Sequence, residues 1–555
     1  MKKKMLILLF ILFITLIFCL PLFTSVSLYT GHDTDYHIAR IYSLAQAIRY
    51  HDYFPSLFYN QCYGYGYASP LFYSNFLIYI PSFLNVLGLN ITISYKVLLL
   101  LCVMISALFM FMCSYKIFNS LLSGAISSTL YIFSGYYITD VFYRGALGEV
   151  FAFAIVPIII LGAYYLIEKN DNPWLLLSIG FSLLLLTHNI SFFLICIAFG
   201  IYIMLNLKKM NVEKWKSLFK AIVLALGLTA FFLFPMIEQL QLGIYRVSTY
   251  FFDDSFINSL LSLSQIIDIR SGTGLIWGEK NNAINMSIGI IQILVVIISL
   301  FLMKKNPKVL ICSFSVILII LMTSNIFPWR IMPRPNFIQF SCRLLIIAIP
   351  ICALIGGAVC KGRKRITILL MFLCVTFGLI HIVPVVSLSK INETNLRTLD
   401  LYYYGRGDQL SKEIWALGAL DYMPSSIYTE IESREKCIFI SNDRKITNFE
   451  QGYNLLSFTD SSEAIVEYVV PLIYYKGYKI LQEYNGIKLE IVAYPSEEGY
   501  IAFQNRQTKI DVQYTIKYED TFVQKVSKMI SIFCLLIVLV LGYNKNKLQF
   551  KREKI

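Results

Sequence analysis

The chain has 555 residues, 57% of them hydrophobic and only 15% charged, with a formal net charge of +14. So apolar a composition excludes an ordinary soluble globule, in which about a quarter of residues are charged, and makes the bilayer the expected solvent. Nucleic acid is not the expected partner of the positive charge, because Lys and Arg sit in short clusters between apolar runs, as cytoplasmic membrane anchors do.

Lys2, Lys3 and Lys4 precede an apolar run over 5–27. This run exceeds a secretory h-region and no Ala-x-Ala site follows, so it reads as a retained first span. Further runs long enough to cross ~30 Å of hydrocarbon follow at 94–117, 120–138, 149–168, 173–188, 190–207, 217–237, 284–303, 309–327, 340–360, 366–387 and 525–543. Basic clusters fix the orientation: Lys208 to Lys216, Lys304 to Lys308, Lys361 to Arg365 and the tail from Lys545 to Lys554. The positive-inside rule makes them cytoplasmic, and both termini with them. Counting spans between the clusters leaves 28–93, 139–148, 188–190, 238–283, 328–339 and 389–524 outside. The stretch 71–89 contains Pro81 and is expected to lie in the interface or re-enter.

The fold class expected is therefore a polytopic α-helical membrane protein of about 12 spans with an extracytoplasmic β-rich domain. The transmembrane domain covers 1–388 with its long first outer loop 28–93, the β-rich domain covers 389–524, and 525–555 forms a last span with a basic cytoplasmic tail. Strand patterning supports the middle assignment. Over Lys509–Tyr518, Ile510, Val512, Tyr514, Ile516 and Tyr518 alternate with polar residues, as in a half-buried strand. Similar strands are expected at 427–433, 437–441, 463–470, 486–494 and 498–503. Most of the 12 cysteines lie in apolar runs, where they read as small core residues. Cys62 and Cys437 fall in outer segments, where spacing alone does not establish a bridge.

Ionisable groups beside hydrocarbon are costly and mark candidate sites. All of them here map to one side. Asp33, Asp35 and His37 follow the first span, Arg144 and Glu149 occupy the next outer turn, and His188 with Asn189 joins two apolar runs. Glu238 and Arg246 follow another span, and Arg330, Arg334 and Arg343 precede the next. One polar cavity opening outward is the expectation. In a helix starting at Thr34, Asp33 is the N-cap, and Asp33, His37 and Arg40 share a face at i, i+4 and i+7. Paired acids with an adjacent His suit general-base work or metal binding; a capping Asp with solvated neighbours is the plainer alternative. Plainer roles also stand beside the others: headgroup contact for Arg343, a surface turn for Arg334, a helix-dipole acid for Glu149 and a helix-end cap for His188. Tyr63, Tyr65 and Tyr67 alternate with glycines in an aromatic loop suited either to sugar rings or to interfacial anchoring.

The acidic stretch Gly31-His-Asp-Thr-Asp-Tyr-His-Ile-Ala-Arg40 resembles the first outer loop of the GT-C superfamily of glycosyltransferases. Those enzymes carry an Asp-x-Asp-type motif after the first span and use polyprenyl-phosphate-linked sugars on the outer face. Further matches run in order through Asp52-Tyr-Phe-Pro55, Tyr63-Gly-Tyr-Gly-Tyr67, Ile338-Gln-Phe-Ser-Cys-Arg-Leu-Leu345 and Leu420-Asp-Tyr-Met-Pro424. They resemble a narrower bacterial group named for a relation to 6-pyruvoyl-tetrahydropterin synthase, and the kindred YfhO-like proteins. Ser341-Cys342 departs from the Pro-Trp-like pair expected before Arg343. The pterin name implies no activity, since the five His form no zinc-binding cluster in the sequence.

The resemblance implies Asp33 as the base that deprotonates an acceptor hydroxyl, with Asp35 orienting that acceptor or holding a divalent metal ion. From their place at the expected outer cavity, His37, Arg40, Tyr65, Glu149, His188 and Glu238 are candidate substrate contacts. Arg343 first, then Arg144 and Arg334, would stabilise the leaving phosphate. The partners implied are membrane lipid, a polyprenyl-phosphate sugar donor and a cell-surface glycan, lipid or protein acceptor. Two alternatives differ in class. A lipid-linked substrate transporter or flippase needs polar residues through both leaflets, and the cytoplasmic halves of these spans are nearly free of charge. A non-catalytic cell-envelope assembly protein would bind a glycan or partner through its outer domain.

Overall fold

The computed structural model describes residues 2–24, 28–29, 31, 33–169, 171–243, 245–248, 255–268, 286–382, 390–391, 421–427, 439–440, 446–460, 467–505 and 511–553. Each of the expected apolar runs folds around a helix. Among the described residues, seven helices are long and apolar enough to cross a membrane: Lys4–Phe23, Ile91–Phe118, Leu147–Lys169, Val212–Leu240, Ser341–Cys360, Lys364–Ile382 and Phe522–Gly542. The other runs give shorter apolar helices, Leu121–Ile132, Trp174–Leu185, Asn189–Leu205, Ile290–Leu302 and Pro307–Met322. The segment 71–89 breaks into short pieces, the longest apolar helix being Phe76–Val86. At about 1.5 Å per residue it rises roughly 16 Å, too little to span.

The chain divides into two units. The first comprises Met1–Ile38, Phe76–Leu226 and Tyr250–Glu393 and is helical. Its centre is built from small residues. Asn119 ends the Ile91–Phe118 helix in the left-handed region (φ 50°), and Ser120 caps the next by accepting from the Ser123 amide. The pair turns back on itself and packs against Leu345–Cys360. Ser127 Oγ donates to the Ala353 carbonyl (2.7 Å) and lies 2.8 Å from Ser114 Oγ, and Ser123 Oγ donates to the Gly357 carbonyl (2.8 Å). In lipid, close approach and such interhelical bonds replace the hydrophobic drive. A Cβ on Gly357 would lie 2.6 Å from Ser127 Oγ, so only glycine allows this spacing.

The second unit comprises Ala39–Asn75, Gly227–Thr249 and Thr394–Ile555. It holds two antiparallel sheets. One has the order Ile446–Gly452, Leu455–Asp460, Val512–Tyr518, Tyr478–Tyr484, Ile487–Ile491; the other has Phe439–Ile440, Glu467–Ile473, Tyr500–Gln504, Tyr494–Pro495. Phe458 and Tyr514 from the first sheet meet Tyr468 and Phe503 from the second at ring separations of 5.0–6.4 Å. The expected alternation holds where described: Val512, Tyr514, Ile516 and Tyr518 are buried, Gln513 and Lys517 exposed. Most of the expected strand at 427–433 lies outside the described residues, as does Cys437, while 446–452, 455–460 and 478–484 are strands that sequence patterning missed. Val212–Leu240 and the C-terminal helix are joined within this unit by Ser531 Oγ, which accepts from the Phe231 amide (3.0 Å) and donates to the Gly227 carbonyl (2.9 Å).

Candidate functional site

Two chain segments bring the charged residues of the first unit together. The first begins with a π-helical turn, Asp140–Arg144, of a kind enriched at functional sites. Gly145 (φ 65°) reverses the chain, and the helix from Leu147 carries Glu149 in its first turn, where the dipole favours an acid. The second is the 3-10 turn Ser341–Leu344, which runs into Leu345–Cys360 and holds Arg343. Its geometry answers the Ser341-Cys342 departure: the Ser341 amide is fixed by Ser259 Oγ at 2.7 Å.

Glu149 is the hub. Its Oε1 accepts from Arg144 Nη2 (3.0 Å) and Arg343 Nε (2.9 Å), and its Oε2 accepts from the Tyr136 hydroxyl. Arg144 Nη1 donates to Asp140 Oδ1 (2.6 Å) and Tyr136 Oη (3.2 Å). Arg343 Nη1 donates to the Ile338 carbonyl (3.0 Å) and Gln339 Oε1 (2.6 Å). Both guanidiniums lie over the Phe340 ring, at 5.8 and 5.0 Å from its centre. Every one of these charged side chains is buried. Such a network holds only if its donors and acceptors are met. Two groups are not met among the described residues: Asp140 Oδ2, which is buried, and Arg343 Nη2, which makes no hydrogen bond.

Asp33 stands beside this network, just before the helix Thr34–Arg49. Its amide donates to the Arg144 carbonyl (2.8 Å), and Thr34 Oγ1 accepts from the Gly31 amide (3.0 Å). The close seat requires glycine at 145, since a Cβ there would strike the Thr34 side chain. Burial raises the Asp33 carboxyl above its ordinary range; Arg144 and Arg343 oppose that rise and Glu149 adds to it. Asp33 thus feels both arginines. His188 caps Asn189–Leu205, its Nδ1 accepting from the Ser191 amide (3.2 Å), with Nε2 4.0 Å from Glu149 Oε1. It caps a helix start, where the sequence reading had suggested a helix end. Burial pushes its pKa down to about 3, so the ring is neutral. An accepting Nδ1 leaves the proton on Nε2, facing Glu149.

Other expected site residues are placed elsewhere. Asp35 lies half-buried in the first turn of its helix, and the backbone amide of the buried His37 donates a hydrogen bond to the Asp33 carbonyl (3.0 Å). Arg40 belongs to the second unit. Its Nη2 donates to the Tyr73 and Ser74 carbonyls (2.8 and 2.9 Å) and Asn75 Oδ1 (3.1 Å), a role in holding a loop. Tyr65, in the same unit, is buried in the β-sheet core, 5.6 Å from the Tyr500 ring, and is no exposed aromatic platform. Glu238 is also in that unit, paired with Lys476 (3.1 Å) and accepting from Thr521 Oγ1 (2.7 Å). Arg334 is exposed. Among the described residues, no three His, Cys, Asp or Glu side chains are placed to hold a metal ion. Sequence reading missed Asp140, Tyr136 and Gln339. Asp140 and Gln339 each lie four residues before an arginine, a spacing that signals pairing on a helical turn.

The family model for the 6-pyruvoyl-tetrahydropterin synthase related domain, described as a membrane protein, matches residues 71–389. The chain is also similar to an uncharacterized protein of Lactococcus lactis subsp. cremoris (strain MG1363), with 29% identity over 257 residues. That match covers 44% of this chain and 42% of the relative, so the chain spans less than half the length of the relative it matches.

Proposed function

The chain belongs to the 6-pyruvoyl-tetrahydropterin synthase related family of membrane proteins, and within that frame we propose that it is a polytopic glycosyltransferase of the GT-C kind. It takes a sugar from a polyprenyl phosphate at the outer face of the cytoplasmic membrane and passes it to a surface glycan, lipid or protein. The observation that supports this most is the seat of Asp33, a half-buried carboxyl next to two fixed guanidiniums. The acceptor hydroxyl attacks the anomeric carbon, and its proton passes to the Asp33 carboxylate. The bond from that carbon to the phosphate oxygen breaks, and polyprenyl phosphate leaves. Arg343 Nη2 is the donor left over to meet the phosphate as its charge grows. Glu149 keeps Arg343 in place through Nε, and Arg144 through Nη2.

The test compares the surface glycans of a deletion strain and its parent by mass spectrometry. A glycan, glycolipid or glycoprotein short by one sugar type is expected; identical profiles speak against transfer. A second reading, a lipid-linked substrate transporter or an assembly protein without catalysis, draws on one observation. Both arginines are already paired with buried carboxylates, Glu149 with each of them and Asp140 with Arg144, as in a purely structural cluster. Movement of a lipid-linked sugar across vesicles by the purified protein, without transfer, would favour the transporter.

A further inference from the structure

The second unit carries exposed aromatic side chains where its first and last segments meet. The helix Thr34–Arg49 closes with the Asp52 amide bonded to the Ala47 carbonyl (2.9 Å) and His51 in the left-handed region (φ 63°). The turn that follows presents Tyr50, Tyr53 and Phe54, with Phe54 71% exposed. Its position is fixed from two sides. Tyr453, at the tip of the hairpin between Gly452 and Leu455, stacks on Tyr50 (4.6 Å) and donates to Asp52 Oδ2 (3.1 Å). Ser56 Oγ donates to Asp520 Oδ1 (3.3 Å), and Lys528 Nζ to Asp520 Oδ2 (2.5 Å).

These last two bonds set a depth. Asp520 precedes the apolar helix Phe522–Gly542, whose surface is only 11% buried by the rest of the chain and therefore faces lipid. Thr521 and Gln524 cap its start reciprocally (3.1 and 3.2 Å). Lys528 lies six residues, about 9 Å, into that helix, yet reaches back to Asp520. A lysine that runs back along an apolar helix marks the headgroup level. Phe522 beside it is 81% exposed. The 50–56 turn is tied to the same carboxylate and therefore lies at the same level.

We propose that Tyr50, Tyr53 and Phe54, with Phe522, form a surface that inserts into the phospholipid headgroup region and holds the β-sheet unit against the bilayer. Aromatic rings with one wet edge favour that layer. The occupant is lipid because the patch continues the lipid-facing surface of a spanning helix and is edged by basic side chains, Arg49, Lys525 and Lys528. This surface depends only on the membrane-spanning helix and is independent of the chemistry at Asp33.

The test uses the full-length protein in liposomes containing radiolabelled phosphatidylglycerol. Phe54, Phe522 and Ile487 are replaced one at a time by the photocrosslinking residue p-benzoylphenylalanine. Ile487 is 61% exposed but lies at the other end of the sheet. Tyr518 pairs with Tyr478 near the helix start, whereas Gln513 pairs with Glu483 next to the turn that carries Ile487. That places it roughly 20 Å away along the strand. Radioactive lipid bound at positions 54 and 522 and at least tenfold less at 487 is the expected result. Absence of lipid at 54, equal labelling at 487, or a protein or glycan adduct in place of lipid at 54 overturns the proposal.

Discussion

Glu149 accepts from Arg144, Arg343 and Tyr136 at once, so removing its charge leaves the buried Arg343 without its carboxylate and Arg144 with Asp140 alone. Glu149→Gln is expected to lower stability by about 3–5 kcal/mol, read as a depressed Tm in detergent, whereas Arg334→Gln at an exposed position should change it by less than about 0.5 kcal/mol. Two pH effects follow from neighbouring groups. A base must be deprotonated, and Asp33 is raised above 3.8 by burial. Transfer should therefore fall on acidification at a pH above the ordinary carboxylate range. His188 is lowered from 6.5 to about 3. The unfolded chain binds that proton first, so stability is present above pH 6.5 and lost as pH falls toward 3. His188→Asn keeps a capping acceptor and should flatten melting temperature against pH in that window; an unchanged slope would remove His188 from the account. At this scale the sequence spoke through charge. Arg144, Glu149, His188 and Arg343 were legible because ionisable groups are scarce beside hydrocarbon. Arg40 and Tyr65 were not, because no spacing rule tells that Arg40 meets the carbonyls of Tyr73 and Ser74, or that the glycine-flanked Tyr65 turns into a sheet core.

Helices were legible as elements because an apolar run of the right length has few other ways to satisfy its backbone in lipid. Their ends were less so, and Leu121–Ile132 stops short of the run at 120–138 because Gly135–Thr139 and Asp140–Arg144 wind separately toward the site. The strands at 446–452 and 478–484 escaped detection through their Asn, Glu and Gln content, and 455–460 through its Ser, Thr and Asp. Asn485-Gly486, at φ 47° and 77°, joins Tyr478–Tyr484 to Ile487–Ile491 and is a strong hairpin signal that could have revealed the former strand. Packing of the helices depends on small residues. Gly357→Val should drive Leu345–Cys360 away from Ser114 and Ser127, and the protein should lose monodispersity in detergent. Retention of the wild-type melting profile would show that this contact does not limit stability.

At the scale of the molecule, a multi-pass membrane protein carries a β-sheet unit, and the family match at 71–389 ends before the sheets begin. By the positive-inside rule the basic clusters predict that unit outside the cell. A cysteine introduced at Ile487, in a background cleared of reactive thiols, should be labelled on intact cells by a membrane-impermeant maleimide, whereas one at Lys209 should require permeabilisation. The reverse pattern would invert the topology and move Asp33 to the cytoplasm.

A sugar transfer with Asp33 as its base is tested most directly in cells. Surface glycans should be compared by mass spectrometry among cells restored with wild-type protein, with Asp33→Asn at equal membrane abundance, or with nothing. Asp33→Asn cells are expected to match the unrestored ones, with transfer down by about 10²-fold or more. Wild-type glycans in the Asp33→Asn cells would rule Asp33 out as the base.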